Sequence, residues 1–194
     1  PGVVYVGMND RDKQWHDVNM HLREAIEAAN SNIAVGDAPP GSEHNANVIQ
    51  FDPSLAGGTV HLCGEPLRID GMTRIQAPAS QAITVDSGGL SRAFDVTGAS
   101  AKVLLDGLIV TGGSGPRGGG IRASSAESLI VANCLITGNA ADEWGGGIFV
   151  EYTPLLLANC DVSGNFADGT GGGLMVAPDG DLMAVNCVFS ENSA

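Results

Sequence analysis

Three Asn-Cys pairs are the residues of this chain whose types and spacing first suggest chemistry. Their cysteines are Cys134, Cys160 and Cys187, which lie 26 and 27 residues apart. Evenly spaced thiols are candidates for a disulfide or for a zinc site, because Zn²⁺ binds thiolates well. No Cys-x-x-Cys motif and no nearby histidine accompanies them, which argues against zinc. We expect the three cysteines to act as small buried apolar residues, with a disulfide as the alternative.

Acidic and basic side chains form a second set of candidates, for cleavage of a polysaccharide. An inverting glycosidase needs two carboxyl groups roughly 6.5–9.5 Å apart, and Asp142 and Asp168 occupy equivalent turns. These acids are also of the kind that ordinary turns carry. A polysaccharide lyase instead needs a base and a cation that neutralises a uronate carboxylate. Four arginines could share one face for this purpose: Arg68, Arg74, Arg92 and Arg122.

Calcium is the one cofactor that the acidic turns suggest. The stretches Asp142-Glu143 and Asp179-Gly180-Asp181 offer the oxygen ligands that Ca²⁺ prefers. The G-G-x-G-x-D nonapeptide of obligatory calcium repeats does not occur in the chain. We therefore predict no required cofactor and no metal site, and we keep Ca²⁺ as an open alternative.

The distribution of charge narrows the choice of partners. The formal net charge is −13, and no Lys or Arg occurs from Ala123 to Ala194. Such a surface repels nucleic acids and polyuronates. No apolar run of about 18 residues occurs, so we predict no transmembrane segment. The sequence thus favours a protein partner or a carbohydrate surface, and no nucleic acid.

Aromatic residues indicate where such a partner would bind. Trp144, Phe149 and Tyr152 are close in sequence, and Phe149 and Tyr152 fall at outward or turn positions of the repeat. Met175 occupies the same column as Phe149, one repeat later. Exposed aromatic and methionine side chains beside acidic turns are typical of docking sites, and sugar stacking is their other use. We predict a binding surface made of Trp144, Phe149, Tyr152 and Met175.

The elements that must position all of these residues repeat with one period. Each block opens with a glycine triplet, and columns aligned on the Asn of each Asn-Cys pair alternate between apolar and mixed residues, which is typical of strands with one buried face. A unit of 26 or 27 residues with two or three short strands cannot bury its own apolar face. We therefore expect coaxial stacking, in which each strand pairs in parallel with its copy about 4.8 Å away.

The asparagines of the Asn-Cys pairs are the most specific indication of the fold. Asparagine tolerates a left-handed turn, and its amide can both donate to and accept from a copy above and below. We expect Asn133, Asn159 and Asn186 to form a buried polar ladder beside the inward column of cysteines. The sequence therefore predicts an all-β fold, a right-handed parallel β-helix or solenoid.

Residues 1–46 are expected to contain an N-terminal strand, a capping helix and a loop, while residues 47–194 form the coils. A cap is needed because the first coil of a solenoid otherwise exposes a strand edge and an open core. Because the pattern stops soon after Cys187, we expect further coils or a partner to cover the open C-terminal coil. The apolar face of the capping helix follows a helical period in four residues: Leu22, Ala25, Ile26 and Ala29.

Two segments resemble known bacterial families. The stretch Leu22-Arg23-Glu24-Ala25-Ile26, followed by coils spelled Gly-Gly-Gly-Ile, Asn-Cys and Thr-Gly-Asn, resembles secreted proteins whose hallmark reads C-S-L-R-E-A-I; Met20-His21 replaces Cys-Ser here. The coils are also similar to the repeats of chlamydial polymorphic outer-membrane proteins, whose F-x-x-N spelling matches Phe189-Ser190-Glu191-Asn192. The resemblance implies a right-handed β-helix in a secreted, periplasmic or cell-surface protein. It implies no reaction, because these groups mostly lack an assigned one.

The resemblance, together with the net charge and the repeat, favours a non-catalytic β-helix that serves as an adhesin, a scaffold or a subunit of an envelope assembly. The alternative is a carbohydrate-active enzyme, either a polysaccharide lyase or a glycoside hydrolase, on the same coils. An enzyme should bring carboxylates and bases together on neighbouring coils, whereas a scaffold should present a surface for another chain.

Overall fold

The structure is a computed structural model that describes the backbone of residues 3–6, 18–42 and 44–194, and the side chains of residues 22–42 and 44–194. It confirms the predicted parallel β-solenoid, which in these described residues has about 6 turns and one short α-helix near the N-terminus. Residues 7–17 of the predicted N-terminal unit lie outside the described part. Within that part, no helix is long and apolar enough to cross a membrane.

The coils build four parallel sheets, numbered here in the order in which a coil that contributes to all four passes through them. Sheet 1 contains β1 (Val3–Val6), β2 (Asn47–Phe51), β5 (Thr73–Gln76), β8 (Lys102–Asp106), β12 (Ser128–Ala132), β16 (Leu155–Ala158) and β20 (Leu182–Val185). Sheet 2 contains β3 (Thr59–His61), β6 (Ile83–Asp86), β9 (Leu108–Thr111), β13 (Leu135–Thr137), β17 (Asp161–Ser163) and β21 (Val188–Ser190). Sheet 3 is short and contains β10 (Ser114–Arg117), β14 (Ala140–Trp144) and β18 (Phe166–Ala167). Sheet 4 contains β4 (Leu67–Ile69), β7 (Phe94–Thr97), β11 (Ile121–Ser124), β15 (Ile148–Glu151) and β19 (Leu174–Val176).

Equivalent residues of successive coils stand in register, so that each position of the repeat becomes a column. Val131 of β12, for example, pairs with Leu105 on one side and with Leu157 on the other. Because side chains alternate along a strand, every second column points inward, and the inward columns of sheets 1, 2 and 4 form one apolar core. The sheet 1 part of that core is a line of fully buried aliphatic residues: Ile49, Ile75, Leu105, Val131 and Leu157.

The helix α1 (Val18–Ser31) packs against the first coil and covers its apolar interior. Its buried face consists of Leu22, Ala25, Ile26, Ala28 and Ala29, which join the core. Hydrogen bonds attach the helix to the coil as well. The Asn30 amide donates to the Arg68 carbonyl at 2.8 Å, and the Asn47 amide of β2 donates to the Ala29 carbonyl at 3.2 Å. The predicted helix therefore lies where a cap is needed.

Candidate functional sites

The asparagines of the Asn-Cys pairs form a ladder on the corner between sheets 1 and 2. The Asn186 amide donates to Asn159 Oδ1 at 3.3 Å, the Asn159 amide to Asn133 Oδ1 at 3.1 Å, and the Asn133 amide to Asp106 Oδ1 at 2.8 Å. All three asparagines have left-handed backbones, with φ values of 52–53°. Their side chains are exposed, so the expected burial of this column is wrong. The reason is geometric, because the chain turns sharply here and the side chains project from the outside of the corner.

A second asparagine ladder, which the sequence interpretation missed, is the buried one. Asn139 and Asn165 are each only 1% exposed, and Asn192 continues their column. The Asn165 amide donates to the carbonyls of Ile136 at 2.8 Å and Ser163 at 3.2 Å, and to Asn192 Oδ1 at 3.0 Å. Its own Oδ1 accepts from the backbone N–H and the amide of Asn139, at 3.1 and 3.0 Å. The side chain thus satisfies all of its hydrogen-bonding groups away from water.

The buried ladder lies against the third glycine of each triplet, and the first two glycines have other structural reasons. A Cβ on Gly147, the third glycine of its triplet, would lie 2.5 Å from the Gly173 carbonyl and 3.1 Å from Asn165 Cγ. A Cβ on the second glycine, Gly146, would lie 2.0 Å from the Phe166 carbonyl. The first glycine, Gly145, has a φ of +65°. Each position of the triplet therefore requires glycine for a separate reason. The Thr-Gly-Asn spelling together with the triplet is the sequence signal that could have revealed the buried ladder.

The cysteine column points into the core, directly inside the exposed asparagine corner. Cys134 and Cys160 are buried, Cys187 is half-buried, and no disulfide joins these three cysteines. The Cys134 thiol donates to the Ala132 carbonyl at 3.0 Å and accepts from the Leu108 N–H at 3.3 Å. Burial raises the pKa of Cys134 to about 12 and also raises the pKa of Cys160. Thiols with a raised pKa are poor nucleophiles near neutral pH, because the thiolate is the form that attacks.

Trp144, Phe149 and Met175 of the predicted binding surface lie together, but they do not form the exposed patch that was predicted. Phe149 is completely buried, so the prediction that it is exposed is wrong. Trp144, from the end of β14, stacks on it with ring centroids 6.2 Å apart, and the Arg117 guanidinium lies 4.2 Å from the centre of the Trp144 ring. Met175 is half-buried in the strand next to Phe149. Tyr152 is 60% exposed in the turn between β15 and β16.

An ion-pair network crosses the outer face of sheet 4. Arg122 contacts Asp95 on one neighbouring coil and Glu151 on the other, each at 3.2 Å. The Ser124 hydroxyl also donates to Glu151, at 2.8 Å. On the adjoining sheet 3, Arg117 pairs with Glu143 of the next coil at 2.8 Å. Charged side chains on this face therefore connect one coil to the next.

The four arginines that the sequence suggested for one face divide between two. Arg68 and Arg122 point outward from sheet 4, with Arg92 just before β7, while Arg74 is exposed on sheet 1. Arg92 donates to the Arg117 carbonyl at 2.9 Å. Burial lowers the pKa of Arg92; Asp95 opposes this shift, and Arg122 and Arg68 add to it. The prediction of a shared face is therefore wrong for Arg74, because it lies on a strand of a different sheet.

The acidic residues predicted in turns are exposed on successive coils, but Asp142 and Glu143 lie within strand β14 and only Asp168 lies in a bend, so the turn prediction is wrong for the first two. Asp142 follows Ala141, which pairs with Ala167 just before Asp168, so the two aspartates occupy equivalent places one coil apart. Within the described residues, no three His, Cys, Asp or Glu side chains lie close enough to hold a metal ion together. Calcium binding by these acidic residues stays a prediction.

No protein-family model, curated protein or solved structure matches this chain. The fold is shown by the parallel pairing of its strands. A function has to be argued from the way in which the coils use their polar and apolar side chains.

Proposed function

We propose that the chain is a non-catalytic, secreted or cell-surface β-solenoid that serves as an adhesin, a scaffold or a subunit of an envelope assembly. The observation that supports this proposal is the use of the repeated polar side chains. Both asparagine columns are hydrogen-bonded from coil to coil, one in the core and one on a corner. The repeated polar side chains therefore connect successive coils of the solenoid.

The charged residues of sheets 3 and 4 support the same proposal. Arg122 bridges Asp95 and Glu151, and Arg117 pairs with Glu143 on the next coil. A structural protein needs such links because its coils must stay in register when a partner pulls on an outer face. The resemblance of the coils to bacterial secreted and outer-membrane repeats supports a location outside the cytoplasm.

The outer faces are then the places where a protein or a carbohydrate surface binds. Tyr152, Trp144 and Met175 keep their proposed role as contacts, since each is at least partly exposed. Phe149 is better assigned as the support of Trp144, because it is buried beneath that ring.

A carbohydrate-active enzyme is the second candidate, and one observation favours it. Asp95 and Glu151 come from different coils and approach a common point, as the carboxyl groups of a glycoside hydrolase do. The Arg122 guanidinium, however, occupies that point and contacts both carboxylates. A sugar would have to displace it to reach both acids, which is why we favour the scaffold.

A polysaccharide screen tests this proposal. The purified chain is incubated with neutral and acidic polysaccharides, with and without Ca²⁺, and new reducing ends and unsaturated uronates are measured. We expect no turnover of any substrate. Turnover that disappears in the Glu151→Gln variant would establish the enzyme instead, whereas turnover that persists in that variant would still reject the non-catalytic role.

A further inference from the structure

The outer face of sheet 1 carries a column of large aliphatic side chains. The column consists of Leu104, Ile130, Leu156 and Met183 from four successive coils, and a second outward column beside it holds Ala132, Ala158 and Val185. We call these seven residues the aliphatic strip. Met183 is 63% exposed, and Leu104, Ile130 and Leu156 are partly exposed. The strip residues of β8, β12 and β16 do not face the core, since the alternate residues of those strands fill it. Met183 and Val185 of β20 continue the same outward columns.

The strip is a longer apolar run than the outward columns of sheets 2 and 4 contain. One coil before Leu104, the same column holds Arg74. The outward column of sheet 4 begins with three charged residues and only then becomes apolar: Arg68, Asp95, Arg122, Phe149 and Met175. In sheet 2, Asp161 separates Leu135 from Val188. Polar residues are the usual occupants of a solvated sheet face. With strands about 4.8 Å apart, four coils give an aliphatic column about 14 Å long. A contiguous apolar surface of this kind marks an interaction site more often than a random scatter of apolar residues does.

The charges around the strip determine what can cover it. Asp161 is exposed on the sheet 2 side, and Asp179 and Asp181 are exposed on the opposite side. Lys102, at the start of β8, is paired with Glu127 at 2.7 Å. The whole chain has a net charge of −13 and no Lys or Arg after Arg122. A second copy would place like charges against one another, whereas a basic partner would be attracted.

The spacing of the strip suits a helix that lies along the solenoid axis. An α-helix rises about 5.4 Å per turn, and the coils repeat about every 4.8 Å. Over four coils the difference accumulates to about 2 Å, so an apolar stripe at i, i+3, i+4 and i+7 stays over the strip. Basic residues on both flanks of that helix would then reach the aspartates at the two borders of the strip.

We infer that the aliphatic strip docks a cationic amphipathic helix of a partner protein. The inference rests on the proposed binding role of the outer faces and adds the chemistry of the partner. Apolar contact supplies the affinity of the complex, and the acidic borders select basic helices over acidic ones. Tyr152, exposed just before β16, offers a ring and a hydroxyl at the edge of the same surface.

The test is a titration of the full chain into a labelled amphipathic peptide of Leu and Lys, followed by fluorescence anisotropy. The same peptide with Glu in place of Lys is the charge control. We expect saturable binding of the Lys peptide that weakens with added salt, and no binding of the Glu peptide. Equal binding of both peptides, or of neither, would overturn the inference.

Two substitutions locate the binding site. Ile130→Asp is expected to weaken binding of the Lys peptide by at least about tenfold, because it places a charge in the middle of the strip. Leu135→Asp, at a partly exposed outward position of sheet 2, is the matched control and should change affinity by less than about twofold. An equal loss in both variants would overturn the inference.

Met183→Glu is a second test of the strip in case the Ile130→Asp variant does not fold. A side chain as exposed as that of Met183 can be replaced without disturbing the core. It should weaken binding of the Lys peptide by several-fold. If the unmodified chain self-associates in sedimentation and Met183→Glu disperses it, the occupant is a second copy and the inference is wrong. If the peptide does not bind, the proposed non-catalytic role still stands. If a polysaccharide is turned over, the proposed function is rejected, and the peptide result is unchanged.

Discussion

The two asparagine ladders have the same residue type and the same spacing, but they lie in different environments. Asn133, Asn159 and Asn186 stand on an exposed corner, and each donates one side-chain hydrogen bond to the coil before it. The ladder of Asn139 and Asn165 is buried, and its side chains reach backbone carbonyls as well as the neighbouring amides. Water can replace the bonds of the first ladder but not those of the second. The buried ladder should therefore stabilise the fold far more strongly.

The largest effect is expected for Asn165→Ala. The change removes five hydrogen bonds of the side chain. It leaves the buried Asn139 N–H of the preceding coil without its acceptor. We expect a loss of about 3 kcal/mol or more in the free energy of unfolding, measured by urea denaturation. Asn165→Asp, which keeps the shape but cannot donate, should also be strongly destabilising. A loss below about 1 kcal/mol would show that the buried ladder is dispensable.

A smaller loss is expected for Gly147→Ala, which tests the contact between the triplet and the buried ladder. The new methyl group would lie 2.5 Å from the Gly173 carbonyl, so two coils must move apart. We expect about 1–3 kcal/mol of destabilisation in the same urea measurement. Gly71→Ala is the matched control, because the atom nearest its Cβ is the Ala29 carbonyl at 3.7 Å. Similar losses in both variants would mean that the ladder does not require the glycine.

The smallest effect is expected on the exposed corner. Asn159→Ala removes two exposed hydrogen bonds and places alanine at a φ of 53°. We expect a loss of about 1 kcal/mol, much of it from the left-handed backbone. Asn159→Gly adopts that backbone without strain, so it should lower the free energy of unfolding by less than Asn159→Ala does. A loss as large as that of Asn165→Ala would remove the distinction between the two ladders.

Much of the fold could be predicted because a repeat shows its own register. The spacing of Cys134 and Cys160 sets which residues pair, and the period of 2 sets which of them face inward. The direction of a side chain at a corner was not predictable in the same way, because it depends on the local backbone and not on the period. This is why the burial expected for Asn133 belongs to Asn139 instead.

The candidate site was predicted less well, because it depends on contacts between different sheets. Phe149 has an outward position in β15, and it is buried because Trp144 and Arg117 of sheet 3 lie over its ring. Arg74 was grouped with Arg68 by residue type, although the two lie on different sheets. The aliphatic strip was overlooked, since Ile130 and Leu156 alternate with core residues and look like an ordinary apolar run in the sequence.

The sequence by itself determined the coil length, the parallel stacking and the identity of the inward columns, because each of these follows from spacing along one chain. Only the tertiary structure decided which asparagine ladder is buried, which charged side chains meet across coils and which outer face stays aliphatic. Those features depend on the directions of the corners and on neighbours from other sheets, and residue spacing carries no information on either.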